Sequence, residues 1–397
     1  MKQHKWIQLV LGLLLTALVL DACTFSVEIV STPSVQVTST FLPTGTMSPD
    51  FLTINAPSPT ATEFALPASS ATPTLISIRA DTTPMLEIVW NVQAGEMIRT
   101  LAFTPDGTVL ASAGGNSSDF VIRLWDVVNN QLLTTLDGHA GIIWSMAFSP
   151  DGSLLASVSS DQTAKIWDWR NGLLVKTLEF PGEVVSVSFS PDGQSLAVGG
   201  VDEIKNQVQH AAVWTYSVGS WQPLIKFPEY IDVAALAYSP RGGTLIGGGT
   251  SRNVQVWRAN DGKQVYTLNH AHQVSKAAIS PDGSTVATAT CITVVNAECS
   301  EGGVWLWDLP SGKLIRKLRG FPNVVENVAF SADGSSLLAA SRDGTMHFYT
   351  TSNYDGQTFD FNSPGGNSAL AVSPDGGFLA TGNNSGAVYL WKIVYHP

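Results

Sequence analysis

A chain of 397 residues, 44% hydrophobic and 13% charged, has material for one large packed domain with accessory segments. Its formal charge of -11 comes with no Lys or Arg cluster, which sets aside a protein built to grip nucleic acid or anionic headgroups.

The chain opens with Lys2 and Lys5, an apolar run from Trp6 to Leu20, and then Leu20-Asp21-Ala22-Cys23. These are the parts of an export signal, residues 1–22, whose apolar run is short for a membrane span. The last four residues resemble the lipobox of bacterial lipoproteins, although Asp21 departs from its usual occupants. The resemblance implies a lipidated Cys23 and an anchored, extracytoplasmic protein at the bacterial cell membrane. The alternative is an uncleaved signal anchor. Residues 23–84 are rich in Ser, Thr, Pro and Ala, with no lysine and one arginine, Arg79. Such a segment buries too little apolar surface to offset ordering, so a disordered stalk is expected.

From Met85 the composition changes. MLEIVWNV, Met85 to Val92, alternates as a strand does. A phrase then recurs seven times, as FTPDGTVLASAGG at Phe103 and FSPDGSLLASVSS at Phe148, down to VSPDGGFLATGN at Val372. Its turn prolines, or their equivalents, stand at Pro105, Pro150, Pro191, Pro240, Pro281, Ala332 and Pro374, spaced 45, 41, 49, 41, 51 and 42 residues apart. That period belongs to propeller blades of four strands. Proline presets φ, Asp bonds the neighbouring backbone and Gly accepts positive φ, so Ser-Pro-Asp-Gly closes a hairpin. Asn171-Gly172, Asp261-Gly262 and Ser311-Gly312 mark a second hairpin in their repeats. The expected fold is all-β, a seven-bladed propeller over residues 85–397. The last repeat lacks a fourth strand, so the segment at 85–92 is expected to complete that blade and close the ring.

Trp125-Asp126, Trp167-Asp168 and Trp307-Asp308, with Trp214, Trp257 and Trp391 at the same place and Tyr349 in the sixth repeat, resemble the WD40-repeat family. The resemblance implies a structural tetrad in the second repeat, matched here by His139, Ser159, Asp161 and Trp167. It also implies that the chain binds proteins or peptides.

A His/Ser/Asp trio invites comparison with a catalytic triad, but no oxyanion-hole motif, nucleophile elbow, phosphate loop or metalloprotease helix accompanies it. No enzyme, cofactor or metal is expected. His270 and His272 lack a nameable third ligand, and His270 stands nine residues before Ile279 as His139 stands before Phe148, which points to the same loop role. Cys291 and Cys299 share one inserted loop, and an exported protein meets an oxidising compartment, so a disulfide is expected; two free thiols are the alternative.

Insertions swell the same connection of repeats one, three and five: Gly114 to Phe120, Val201 to His210 and Cys291 to Glu301. In the family this connection opens on the face that carries the His139 loop, so the three should crown one end of the ring. Insertions on one face of a repeat protein often mark its binding side. The expected rim comprises Asp119, Phe120, Asp202, Glu203, Lys205, Asn206, Ile292, Val294, Val295, Asn296 and Glu298; harmless loop drift is the alternative. The expected function is a membrane-anchored scaffold for protein interaction, monomeric and without nucleic acid. The rival is a receptor holding a small molecule, glycan or cell-wall fragment in the channel; a propeller enzyme would need a convergent polar set there, which the sequence does not show.

Overall fold

The computed structural model describes residues 84–395 except 206–207, 231–232, 250–251, 297 and 361–365. The leader, Cys23, the stalk through residue 83 and Asn206 lie outside the described residues, as does the side chain of Lys205.

Seven antiparallel sheets of four strands each form the blades of a propeller. Blade two shows the plan: an inner strand Ile143–Phe148, a second Leu155–Ser159, a third Thr163–Asp168 and an outer strand Leu173–Glu179. Inner strands contact one another in sequence, and the inner strand of blade seven, Asn367–Val372, returns to that of blade one, Ile98–Phe103. Closure comes from the N-terminal strand. Pro84–Gln93 pairs antiparallel with Ala387–Tyr395, with Glu87 opposite Lys392 and Val92 opposite Val388, and so becomes the outer strand of blade seven.

The burial pattern follows from position in the blade. Second strands, such as Val109–Gly114, are buried on both sides because each blade is sandwiched between two others. Their small residues, Ala111, Ala113 and Ala156, let neighbouring sheets approach while Leu, Ile and Trp from the adjoining blade fill the gaps. Ile122, Leu124 and Leu136 of blade one thus meet Ile143, Leu155 and Trp167 of blade two. Each such aliphatic side chain contributes about 1.5–3 kcal/mol of burial. Outer strands such as Gln131–Leu136 are mostly exposed.

The recurrent turn behaves as its residues require. In blade two, Ser149 Oγ donates to Asp151 Oδ1 at 2.6 Å, the Ser153 amide donates to the same oxygen at 3.0 Å, and the Gly152 amide donates to Ser149 O at 2.8 Å. Gly152 sits at φ +68°, which favours glycine. The turns also touch around the ring: a Cβ on Gly152 would lie 3.4 Å from Cδ of Pro105 in the previous blade. At Gly376, whose predecessor turn carries Ala332 in place of proline, it would meet nothing within 4 Å.

Candidate functional site

The His/Ser/Asp trio resolves into a lock with a different serine. His139 Nδ1 lies 2.7 Å from Asp161 Oδ2, and its Nε2 lies 2.8 Å from Ser157 Oγ. Trp167 Nε1 donates to that same Ser157 Oγ at 2.8 Å. The assignment of Ser159 is therefore corrected to Ser157. Both face the same side of the strand, but Leu155 pairs with Trp167, so Ser157 stands two residues from the indole and Ser159 four. Ser159 Oγ instead accepts the Asp161 amide at 3.1 Å. Nδ1 donates to the carboxylate, and the Ser157 hydroxyl bridges Nε2 and the indole, accepting the indole proton. Burial pushes the Asp161 carboxyl up, but hydrogen bonds from His139, Thr163 and the Ala140 amide outweigh it and hold the group well below the usual carboxylate range. Its stabilising contribution is present above the unfolded carboxylate pKa and is lost only as pH falls through the strongly acidic folded value.

The hydroxyl-to-indole bond recurs at Ser112 and Trp125, Thr288 and Trp307, and Thr381 and Trp391. In blade five His270 Nε2 joins it, 2.8 Å from Thr288 Oγ1, and burial pushes that imidazole down to about 4. His270 thus fills the His139 place. The reactive-looking trio is a pin holding loop to blade.

The insertions lie on the face where each outer strand hands over to the next inner strand. In blade one the Glu96 carboxylate, on the connection from the closing strand, accepts the amides of Asn116 and Ser117 at 2.7 Å each and the Ser117 hydroxyl at 2.7 Å. The Ser117 amide and hydroxyl, then the Asn116 amide, lower its pKa to about 2. Asp119 pairs with Arg123 at 3.0 Å and accepts the Glu96 amide, while Phe120 is half-buried. Glu96→Gln is expected to release this loop, read as faster hydrogen exchange at Asn116 and Ser117. With the native residue the loop holds above the normal carboxylate range and loosens only as pH falls through about 2.

In blade three, Ser195–Lys205 and Val208–Ser217 extend the insertion as a long hairpin; Asp202 pairs with Lys226 at 2.7 Å and Glu203 is half-buried. In blade five, Thr285–Val295 and Glu298–Asp308 do the same. Cys291 and Cys299 form a disulfide across this hairpin, Cα to Cα 5.8 Å. Ile292 is half-buried, whereas Val294, Val295, Asn296 and Glu298 are exposed at the tip. Reduction is expected to cost the hairpin about 2–3 kcal/mol of local stability. The readout is faster exchange at Val294 and Val295 with the ring amides unchanged.

The three insertions come from blades that are not neighbours, and much of the expected acidity is already paired: Asp119 with Arg123, Asp202 with Lys226, and Glu301 with Arg319 at 3.2 Å. What the face offers as a continuous surface is the blade-five tip beside the channel. One cavity there includes His272, Val294, Glu298, Asn323 and Arg342, and shares Gln273 and Arg342 with the channel mouth.

The mouth is a cavity of about 540 Å³ lined by Arg99, Trp144, Lys276, Glu326, Asn327 and Arg342 among others. Six of the seven inner strands carry a β-bulge at their first turn of pairing, between Ile98 and Thr100, Ile143 and Ser145, and at the four equivalent steps. The bulged residues Arg99, Trp144, Val185, Ser275, Glu326 and Ser368 all line the mouth. Arg99 lies over the Trp144 ring at 4.4 Å, and Arg342 Nε donates to Glu326 Oε1 at 2.7 Å. This convergent polar set escaped the sequence reading, although Arg99, Ser275 and Glu326 each stand one residue after the first apolar residue of an inner strand. Among the described residues no group of three His, Cys, Asp or Glu side chains is placed to hold a metal.

A closed seven-bladed ring with hydroxyl-to-tryptophan pins defines a repeat scaffold that presents loops on a rigid face. The family model described as "WD domain, G-beta repeat" matches residues 89–126, 130–168, 172–204, 262–308, 312–350 and 365–392, more than half of the chain. The chain belongs to the WD40-repeat family. It is 30% identical over 276 residues to the anaphase-promoting complex subunit cdc20 of Dictyostelium discoideum, covering 68% of this chain and 52% of the relative. It is 25% identical over 266 residues to periodic tryptophan protein 2 of Arabidopsis thaliana, covering 64% and 29%. With eukaryotic translation initiation factor 3 subunit I of Bombyx mori it shares 23% over 314 residues, covering 73% and 91%. The chain spans about half or less of the first two relatives. Residues 205–261, unmatched by the family model, nonetheless supply two strands of blade three and the first three of a complete four-stranded blade four.

Proposed function

We propose that the propeller is a non-enzymatic platform for protein interaction, held outside a bacterial cell membrane by a lipidated Cys23 and the stalk of residues 24–83. The observation that carries the reading is the blade-five hairpin. It is stapled at its base and presents exposed Val294 and Val295 beside the channel mouth, a rigid apolar projection on the loop-bearing face. Two relatives are named as subunits of larger assemblies, which supports a protein partner. The non-enzymatic part is supported by the buried engagement of His139, Asp161 and Ser157 in a structural pin. The Cys291–Cys299 disulfide supports an oxidising location, and the leader and lipobox-like sequence support anchorage.

The test is co-purification of the partner with the full chain carrying Val294→Asp and Val295→Asp together. A tenfold or greater loss of partner is expected, with the melting temperature held. Undiminished recovery would remove the hairpin from the interface.

A further inference from the structure

The channel mouth runs against the charge of the chain. The protein carries -11 overall, yet the mouth gathers Arg99, Lys276 and Arg342 against one acid, Glu326. Arg342 pairs with Glu326, while Arg99 rests on the Trp144 ring and donates from Nε to Gly115 O at 3.4 Å, which leaves its two terminal NH2 groups as donors. Lys276 has no hydrogen-bond or ion-pair partner among the described residues. The Trp144 indole nitrogen on the same wall is a buried donor without a partner among the described residues. Burial also pushes the Lys276 ammonium below the ordinary lysine range, as expected of a cation with no anion beside it.

The wall therefore sets three cations against the single acid Glu326, and Lys276 is the one left without a partner among the described residues. A cation left without a counter-charge in a partly buried wall is held at a cost that an arriving anion relieves. At the position of Lys276 the other inner strands carry Thr100, Ser145, Ser186, Ala235, Asn327 and Ala369, which makes its charge a feature of blade five and not of the repeat. A volume of about 540 Å³ lies within the range of small-ligand sites.

We propose that the channel mouth is a binding site for an oxyanion, a carboxylate or phosphate group, gripped by Lys276 and Arg99 beside the Trp144 ring. The group reaches the mouth either as a free small anion or as an acidic side chain of a docked partner. The site goes beyond the platform reading and stands on residues the hairpin does not supply.

The test is a melting-temperature titration of the full chain in low-chloride buffer with three probes at millimolar concentration: succinate, inorganic phosphate and a hexaglutamate peptide. At least one probe is expected to raise the melting temperature by several degrees with saturation. Lys276→Met is expected to abolish that shift, and Lys276→Arg to retain most of it. Lys313→Met, on the opposite face, is expected to leave it intact. The ligand-free Lys276→Met protein is expected to melt at or above the wild type, since an unpartnered cation has been removed. Should that variant not fold, Arg99→Gln read by the same titration serves instead. The responding probe assigns the source: succinate or phosphate a free anion, hexaglutamate alone a partner's side chain. No shift with any probe, or an equal shift in Lys276→Met, would overturn the site.

Discussion

Trp90→Ala is expected to destabilise the propeller by about 3–5 kcal/mol, the largest effect of any single truncation in the closing strand. Trp90 belongs to Pro84–Gln93 and is 7% exposed. It lies in one core cluster with Leu101, Leu110, Trp125 and Val127 of blade one and Val388 and Leu390 of blade seven. Its Nε1 donates to Val127 O at 2.9 Å. One side chain thus bolts the strand that completes the last blade to the first blade, and truncation leaves both a cavity and an unpaired carbonyl. Thermal melting checks this, with a fall of roughly 10 °C expected. Met85→Ala, on the same strand but 49% exposed, should change little. Equal, small shifts for both would mean that the N-terminal strand does not seal the ring.

Ser157→Ala is expected to cost about 2–4 kcal/mol, because it strands two buried groups at once, the Trp167 indole N–H and His139 Nε2. Ser159→Ala removes only an acceptor for the Asp161 amide and is expected to cost about 1 kcal/mol. Both serines are fully buried, so burial alone predicts equal costs; the hydrogen-bond geometry predicts a clear inequality. Urea denaturation with unchanged slope separates the two.

Ring size, blade boundaries and closure were legible because they rest on one-dimensional signals: the turn prolines from Pro105 to Pro374, the Trp of six third strands with Tyr349 in the sixth repeat, and an alternating segment before the first repeat. The lock was legible to within one step of the strand period. Ser157 and Ser159 share a face, and only the pairing of Leu155 with Trp167 tells them apart. The ionic state of the rim was not legible, because Lys226 and Arg319 reach Asp202 and Glu301 from outer strands across the blade. The channel was hidden for a related reason. A β-bulge breaks the simple alternation at the start of the inner strands, so Arg99 and Glu326 take positions that a period of two does not assign.

The claim that the insertion-bearing face is the working face is tested most directly by photocrosslinking in the living cell. Photoreactive residues at Asn296 and Glu298 would probe the hairpin tip, and one at Ser311 the turn on the opposite face. A discrete protein adduct from Asn296 or Glu298 and none from Ser311 is the predicted result. An adduct from Ser311 alone, or the same adduct from both faces, would contradict it.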